Sequence, residues 1–134
     1  MTILLDTREV PPADRQDYWS AGAAQHIFPV RFRPVGEQPF TGWLTGGQLG
    51  PISVRTISSG RHWAVRTPQT IAAAAPECIL LYLVRDGSCR IEQDGRSCVL
   101  APGDMASHDT SRPSLVETPT GFELLVFSIP KWLI

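Results

Sequence analysis

The sequence predicts a mainly β protein, a jelly-roll barrel or sandwich with one helix at its N-terminal end. Three observations carry that class. Strand-like runs recur at short, regular spacing after the first quarter of the chain, each closed by turn residues. Twelve prolines and eleven glycines in 134 residues mean many turns and argue against a helical bundle. The sharpest signal is Asp94-Gly95, which separates two β-like runs. Asp-Gly suits a two-residue type I′ turn, because both central residues need positive φ. That turn sets Gln93 opposite Arg96, Ile91 opposite Cys98 and Cys89 opposite Leu100. Opposed residues share a face, so Cys89, Ile91, Cys98 and Leu100 form an apolar side and Arg90, Glu92, Ser97 and Val99 the other. The apolar side is expected to meet a core.

The first ten residues read as an extended lead-in with strand character at Ile3–Leu5. Pro11-Pro12 then opens a helix, since proline fits the first helical turn. This helix is expected from Pro12 to about Gln25, with Asp14 and Asp17 near the positive end of its dipole. Trp19, Ala23 and Ile27 recur every four residues as an apolar stripe. Such a stripe suits a helix capping the edge or mouth of a sheet, or a dimerisation surface.

From Phe28 the period changes to two. Strands are expected at Val30–Arg33, Phe40–Leu49, Ile52–Ile57 and His62–Arg66, with turns at residues 34–36, 50–51 and 58–61. Gly42, Gly46 and Gly47 are expected at bulges or bends. Residues 71–75 read as one helical turn or a loop. Cys78–Val84 is apolar at every position, which predicts a central strand buried on both sides. After the Asp94-Gly95 hairpin, Pro102-Gly103-Asp104 turns the chain into a strand at Met105–Asp109. Leu115–Thr118 and Phe122–Ile129 are expected to pair as a last hairpin across residues 119–121, and Pro130 to stop the final strand.

Composition narrows the function classes. Charged residues make up 19% and the net charge is −1. The basic residues are scattered, which argues against nucleic-acid binding by this chain alone. Three cysteines are an odd number without zinc-site spacing, and they read as reduced thiols acting as small core residues. The N-terminus has no signal-peptide pattern, and no apolar run is long enough to span a bilayer. A cytoplasmic protein with no membrane partner is expected.

No nucleophile elbow, P-loop or dinucleotide fingerprint is present. The histidines are His26, His62 and His108, and no pair shares one face of one strand. A metal site would need them to converge with a carboxylate such as Glu77 or Asp104. Without that convergence, His62 and His108 read as rim residues or as polar groups in a small-molecule pocket. Trp43, Arg55, Trp63 and Tyr82 lie on expected strands of a barrel whose interior can hold one small ligand. A buried arginine there would select a carboxylate. Arg55, however, shares parity with Ser53 and Ile57 rather than with Ile52 and Val54. The expected ligand-binding set is Trp43, Arg55, His62, Trp63, Tyr82 and His108, with no catalytic residue, metal ligand or cofactor.

The motif order then becomes specific. A helix opened by PPADRQDYW is followed by F-x-G-x-L, by S-x-R-x-I and by a hydrophobic strand. QDGRSCVLAPGDMASHDTSRP comes next, and F-E-L-L-V-F-S-I-P closes the chain. This order resembles the N-terminal regulatory, AraC-binding-like domain of AraC/XylS-type transcription regulators, over nearly the whole chain. The resemblance implies a cupin-like double-stranded β-helix, in agreement with the jelly roll. It also implies that DNA is bound by helix-turn-helix units of a C-terminal domain that this chain lacks. Residues 1–134 are therefore expected to form a single regulatory domain, not an enzyme, that senses a small organic effector, forms a homodimer, or both. The effector is expected to be aromatic or carboxylated. The alternatives are a metal-dependent cupin enzyme using His62, His108 and a carboxylate, or a dimerisation module with a filled barrel and no ligand.

Overall fold

The computed structural model describes residues 1–36, 38–118 and 121–134. Eleven strands alternate with short helical pieces: β1 (Thr2–Asp6), α1 (Arg15–His26), β2 (Arg31–Pro34), β3 (Gly42–Leu49), β4 (Ile52–Ser59), β5 (His62–Arg66) and α2 (Pro68–Ala73) come first. They are followed by β6 (Cys78–Asp86), β7 (Cys89–Gln93), β8 (Arg96–Leu100), β9 (Met105–Asp109), β10 (Ser114–Thr118) and β11 (Phe122–Pro130). A six-stranded sheet in the order β1-β3-β4-β11-β6-β9 faces a five-stranded sheet in the order β2-β5-β10-β7-β8. The architecture is the mainly β jelly roll with one N-terminal helix that turn density and strand spacing predict.

The Asp94-Gly95 hairpin forms in the expected register, with Cys89 opposite Leu100, Ile91 opposite Cys98 and Gln93 opposite Arg96. Both turn residues take positive φ, 55° at Asp94 and 74° at Gly95. Cys89, Ile91 and Leu100 are buried in the core. Cys98 departs from expectation and is exposed, because β8 is the outermost strand of its sheet and nothing lies over that position.

The two inner faces build the core. Leu44, Leu80, Val84, Leu124 and Val126 come from the larger sheet and Cys89, Ile91, Leu100 and Val116 from the smaller, all at least nine-tenths buried. Interdigitation of such faces follows from the period of two in each strand. β6 is therefore buried on one face rather than on both. Ile79, Leu81 and Leu83 point outward and are half-buried, beside Ile129, Phe127 and Leu125 of β11.

Further expectations shift. The helix begins with a 3-10 turn at Pro12–Asp14 and continues as α1, and its buried positions are Trp19 and Gly22 rather than the whole Trp19, Ala23, Ile27 stripe. The β3–β4 ladder is continuous through Gly42, Gly46 and Gly47. The irregularity lies in β1, between Ile3 and Leu5. Close approach, not bulging, explains two of these glycines. A Cβ on Gly42 would lie 2.8 Å from Ser59 Cβ and 3.1 Å from the Trp19 ring, and one on Gly46 would lie 2.5 Å from a Leu4 methyl.

The expected last hairpin does not form. β10 pairs with β5 and β7, whereas β11 pairs with β4 and β6. The two strands belong to opposite sheets, and residues 119 and 120 of the expected turn lie outside the described residues. In this jelly roll some consecutive strands pair as hairpins, as β3–β4 and β7–β8 do, and others cross between sheets, and short spacing alone does not separate the two.

Candidate ligand site

Between the sheets, beneath α1, lies a cavity of about 70 Å³. Its helix-side wall is Leu5, Trp19, Ala23 and Ile27, and its floor includes Leu44, Val116, Leu124 and Val126. Phe28, Phe32 and Phe122 supply aromatic surface, and His62, Arg66 and Tyr82 are polar residues on its lining. An apolar enclosure with a few convergent polar groups has the composition of a small-molecule site, but such sites are commonly about 300–1,000 Å³, so a ligand larger than a few heavy atoms requires its walls to part.

His62 opens β5 and faces inward with Ala64 and Arg66, two and four residues on. Its Nδ1 lies 3.1 Å from the Gly60 carbonyl oxygen. The Ser59 and Thr118 hydroxyls lie 3.2 and 3.3 Å from the same nitrogen, so Nδ1 is the ring atom tied to the surrounding chain, and which nitrogen bears the proton follows from whether those hydroxyls donate to it. Phe32, Phe122 and Phe40 surround the ring at centroid distances of 4.8, 5.5 and 6.3 Å. Burial in that cage pushes the imidazole pKa down to about 4, against the opposing hydrogen bond to Gly60. His62 is neutral at pH 7.

Tyr82, on the inner face of β6, places its hydroxyl 2.8 Å from His108 Nε2 on the neighbouring β9. The two rings stack with an interplanar angle of 17°. His108 is buried, and its Nδ1 has no hydrogen-bond partner among the described residues. Burial holds its pKa at about 4, with Asp109 pulling it up and Arg66 pulling it down. Burial also raises the Tyr82 hydroxyl above the ordinary phenol range.

Arg66 ends β5 with 1% of its surface exposed. Its Nε donates to the Thr110 carbonyl at 3.1 Å, Nη1 to the Pro29 and Thr70 carbonyls at 2.9 and 2.8 Å, and Nη2 to the Ala74 carbonyl at 2.6 Å. Helix α2 exists to present two of these oxygens. Thr67 caps it through a reciprocal bond with Thr70, Pro68 sits in its first turn, and at its C-terminal end, where carbonyl dipoles favour a cation, the Thr70 carbonyl accepts from both Arg66 and the Ala74 N–H. The guanidinium carbon lies 4.9 Å above the Phe28 ring, a cation–π distance. No carboxylate among the described residues forms a salt bridge to Arg66.

The structure thus separates the six residues singled out by sequence. His62 and Tyr82 line the cavity, and His108 stands directly behind Tyr82. Trp43 and Trp63 point outward, 49% and 39% exposed, because their positions are out of phase with the inward residues of β3 and β5. Arg55 does face inward, yet it donates from Nε to the His26 carbonyl at 3.1 Å and from Nη1 to Gly47 and Val54. It closes the C-terminal end of α1 and is not on the cavity lining. Arg66 was missed, although alternation along β5 puts it on the face of His62. Phe28, Phe32 and Trp19 carried no signal for the cavity itself, because the segment after α1, strand β2 and α1 bring them together only in the fold.

The alternative metal set does not assemble. Glu77 is paired with Lys131, and Asp104 accepts from the Ala101 N–H in the turn before β9. His62 and His108 engage Gly60 and Tyr82 instead. Among the described residues no group of three or more His, Cys, Asp or Glu could hold a metal ion.

A two-sheet barrel with a helix over one end and an apolar internal cavity defines a cupin-type domain. Residues 19–134 match the AraC-binding-like domain family, and the chain belongs to that family. It is the N-terminal regulatory type of domain found in AraC/XylS-family regulators. Among curated relatives, an uncharacterized protein in the nit 5′ region of Bacillus sp. (strain OxB-1) is 26% identical over 134 residues, covering 100% of this chain and 52% of that protein. The transcriptional activator NphR of a Rhodococcus species is 28% identical over 130 residues, covering 96% of this chain and 39% of NphR. The chain spans about half the length of the curated relatives it matches. Among solved structures, the AraC-like transcriptional activator CuxR superposes with a TM-score of 0.77 at 23% identity, over 98% of this chain and 47% of CuxR. A cupin superfamily protein from Desulfitobacterium hafniense gives 0.54 at 14% identity, over 72% of this chain and 83% of that protein. These two likenesses establish the fold. No helix among the described residues is long and apolar enough to cross a membrane.

Proposed function

We propose that this domain is the effector-sensing part of an AraC-type transcriptional regulator, and that a small organic molecule binds in the cavity beneath α1. The observation that carries this reading is the cavity itself: an apolar, aromatic enclosure to whose lining Tyr82, Arg66 and His62 bring polar character. Binding there would bias the regulator between two arrangements, to the extent that the ligand distinguishes them. Contact with DNA belongs to a separate domain, and the chemistry is recognition, not catalysis. Relatives that are regulators, rather than any pairing of catalytic groups, support that choice.

Thermal unfolding and tryptophan fluorescence across a panel of neutral aromatics, sugars, amines and organic acids test the proposal. A true effector raises the melting temperature progressively, its stabilisation growing with the logarithm of its concentration once that exceeds Kd. Silence across the whole panel would sink it.

Homodimerisation is the second half of the reading. The outer face of the larger sheet carries the half-buried Ile79, Leu81, Leu83, Leu125 and Phe127 side by side, and a contiguous apolar exterior marks an interaction surface. Its occupant in this reading is a second copy of the domain. Sedimentation as a monomer at high concentration would remove that half.

A further inference from the structure

We infer that strand β8 is an interaction edge, and that its occupant is β8 of a second copy of this chain, paired antiparallel about Cys98. This contact uses the rim of the smaller sheet. It is a different surface from the outer face proposed above for homodimerisation.

The first ground is that β8 is the edge left unguarded. The larger sheet ends in β1 and β9, the smaller in β2 and β8. Such edges pair with other chains unless bulges, prolines, charges or covering groups prevent it. β1 has a register shift between Ile3 and Leu5. β2 carries Arg31, Arg33 and Pro34. In β9 the Gln93 side chain takes both backbone groups of Asp109. β8 has an unbroken register with β7, no proline, and a single charge, Arg96, at its end. Every residue of β8 before Leu100 is exposed. Beside it a cleft of about 470 Å³, lined by Ser97 and Cys98 and by Ala106 and Ser107 of β9, leaves the edge open.

The second ground is the direction of the free backbone groups. In a two-residue hairpin the residues flanking the turn exchange both ladder bonds, and bonded and non-bonded pairs alternate from there. Gln93–Arg96, Ile91–Cys98 and Cys89–Leu100 are therefore the bonded pairs, and the N–H and C=O of Ser97 and Val99 point away from β7. No further backbone bond among the described residues takes them up. A two-fold mate centred on Cys98 uses these groups. Ser97 of each copy meets Val99 of the other, and each such pair exchanges both ladder bonds. A register one residue out of step would leave the outward groups unmatched.

The third ground is that the side chains match in the same register. Val99 is 68% exposed, and its diagonal neighbour across the two-fold is Val99 of the copy, so each covers the other. Charges match as well. Arg96 falls opposite Leu100 of the copy, directed toward the turn that holds Asp104. Neither Arg96 nor Asp104 enters a salt bridge among the described residues, and the two-fold makes this match at both ends of the strand pair. The contact is small against the roughly 1,200–2,000 Å² of a standard stable interface, so the dimer is weak and grows with concentration.

Cross-linking of the full 134-residue chain by diamide tests the register. Opposed Cys98 residues form a non-bonded pair, with Cα atoms about 4.5 Å apart, inside the roughly 4.4–6.8 Å that a disulfide spans. Cys78 and Cys89 are buried. Diamide takes two electrons and two protons from the two Cys98 thiols, becomes the hydrazine, and leaves an S–S bond between copies. Wild type is expected to give a covalent dimer on non-reducing gels, and Cys98→Ser none. Val99→Lys sets two cations diagonally across the two-fold. It is expected to keep the melting temperature and slow cross-linking at least tenfold, although an added cation by itself speeds thiol oxidation. Val99→Thr should cross-link as wild type does. Equal rates in wild type and Val99→Lys, or no cross-link in wild type, would overturn this inference. In sedimentation of the reduced chain, self-association weakened by Val99→Lys supports β8. A dimer indifferent to that substitution would overturn β8 pairing and leave the outer face as the interface.

Discussion

The side-chain amide of Gln93 pairs with the backbone of Asp109 as a neighbouring strand would: Nε2 donates to the Asp109 carbonyl at 2.7 Å, and Oε1 accepts the Asp109 N–H at 3.0 Å. Gln93 ends β7 in the smaller sheet and Asp109 ends β9 in the larger one, so a single side chain stitches the two sheets where no ladder joins them. The neighbours extend the clasp. Asp109 accepts from the Ser111 N–H and hydroxyl and from Lys131, and Arg112 pairs with Asp94 in the hairpin turn. This explains why Gln93-Asp94 and Asp109 through Arg112 stand out as paired segments of sequence.

Gln93→Ala removes the paired bonds to the Asp109 backbone and the longer contacts to the Arg112 and Pro113 carbonyls, leaving a partly buried N–H and carbonyl to find water, an expected loss of about 1–3 kcal/mol. Urea unfolding of the variant measures it. A change within a few tenths of a kcal/mol would show that the clasp is incidental to stability.

Acid is expected to unfold the domain in two stages. His62 and His108 have native pKa values of about 4 against 6.5 in the unfolded chain, so between those values the unfolded state binds more protons and stability rises with pH. Their contribution is complete above pH 6.5 and is lost on acidification toward pH 4, about 2 kcal/mol for each at pH 5. Asp109 follows. Burial alone would raise its pKa, but hydrogen bonds from Ser111 and Lys131 hold it at about 2, so its contribution is present above pH 4 and fades toward pH 2. Urea midpoints measured from pH 7 to pH 5 should fall steadily. A flat profile would show that neither histidine is held neutral.

Gly42→Ala is expected to destabilise by about 1–3 kcal/mol, because its Cβ would meet Ser59 Cβ and the Ser58 carbonyl as well as the Trp19 ring. The displaced Trp19 should also alter the cavity wall, so the fluorescence of the variant should differ from wild type even where folding is complete. Unchanged stability and spectrum would mean that β3 can shift at no cost.

Trp19 is 4% exposed, whereas Trp43, Trp63 and Trp132 are 49%, 39% and 74% exposed. Iodide should therefore quench most of the emission and spare a protected component. Trp19→Phe should delete that component together with any fluorescence response to a cavity ligand. Loss of the protected component in Trp43→Phe instead would contradict the assigned facing of β3.

The parts of this protein determined by sequence alone are those set by short-range chemistry. Asp94-Gly95 meets a type I′ turn's demand for positive φ, and the alternation around it sets a register the structure reproduces residue for residue. The period of two, with a proline or glycine at most strand ends, gives the β class, and paired motifs at the clasp mark the family. Sheet membership was decided only in three dimensions. β10 and β11 are consecutive yet lie in opposite sheets, since closing the barrel buries more apolar surface than pairing them with each other would. The same packing turned Trp43 and Trp63 outward, left Cys98 on an uncovered edge, and sent Arg55 to the end of α1. It also buried Arg66 among four carbonyls drawn from three separate segments. Alternation says that side chains lie on opposite faces, but which face becomes the inside depends on what the rest of the chain brings to cover it.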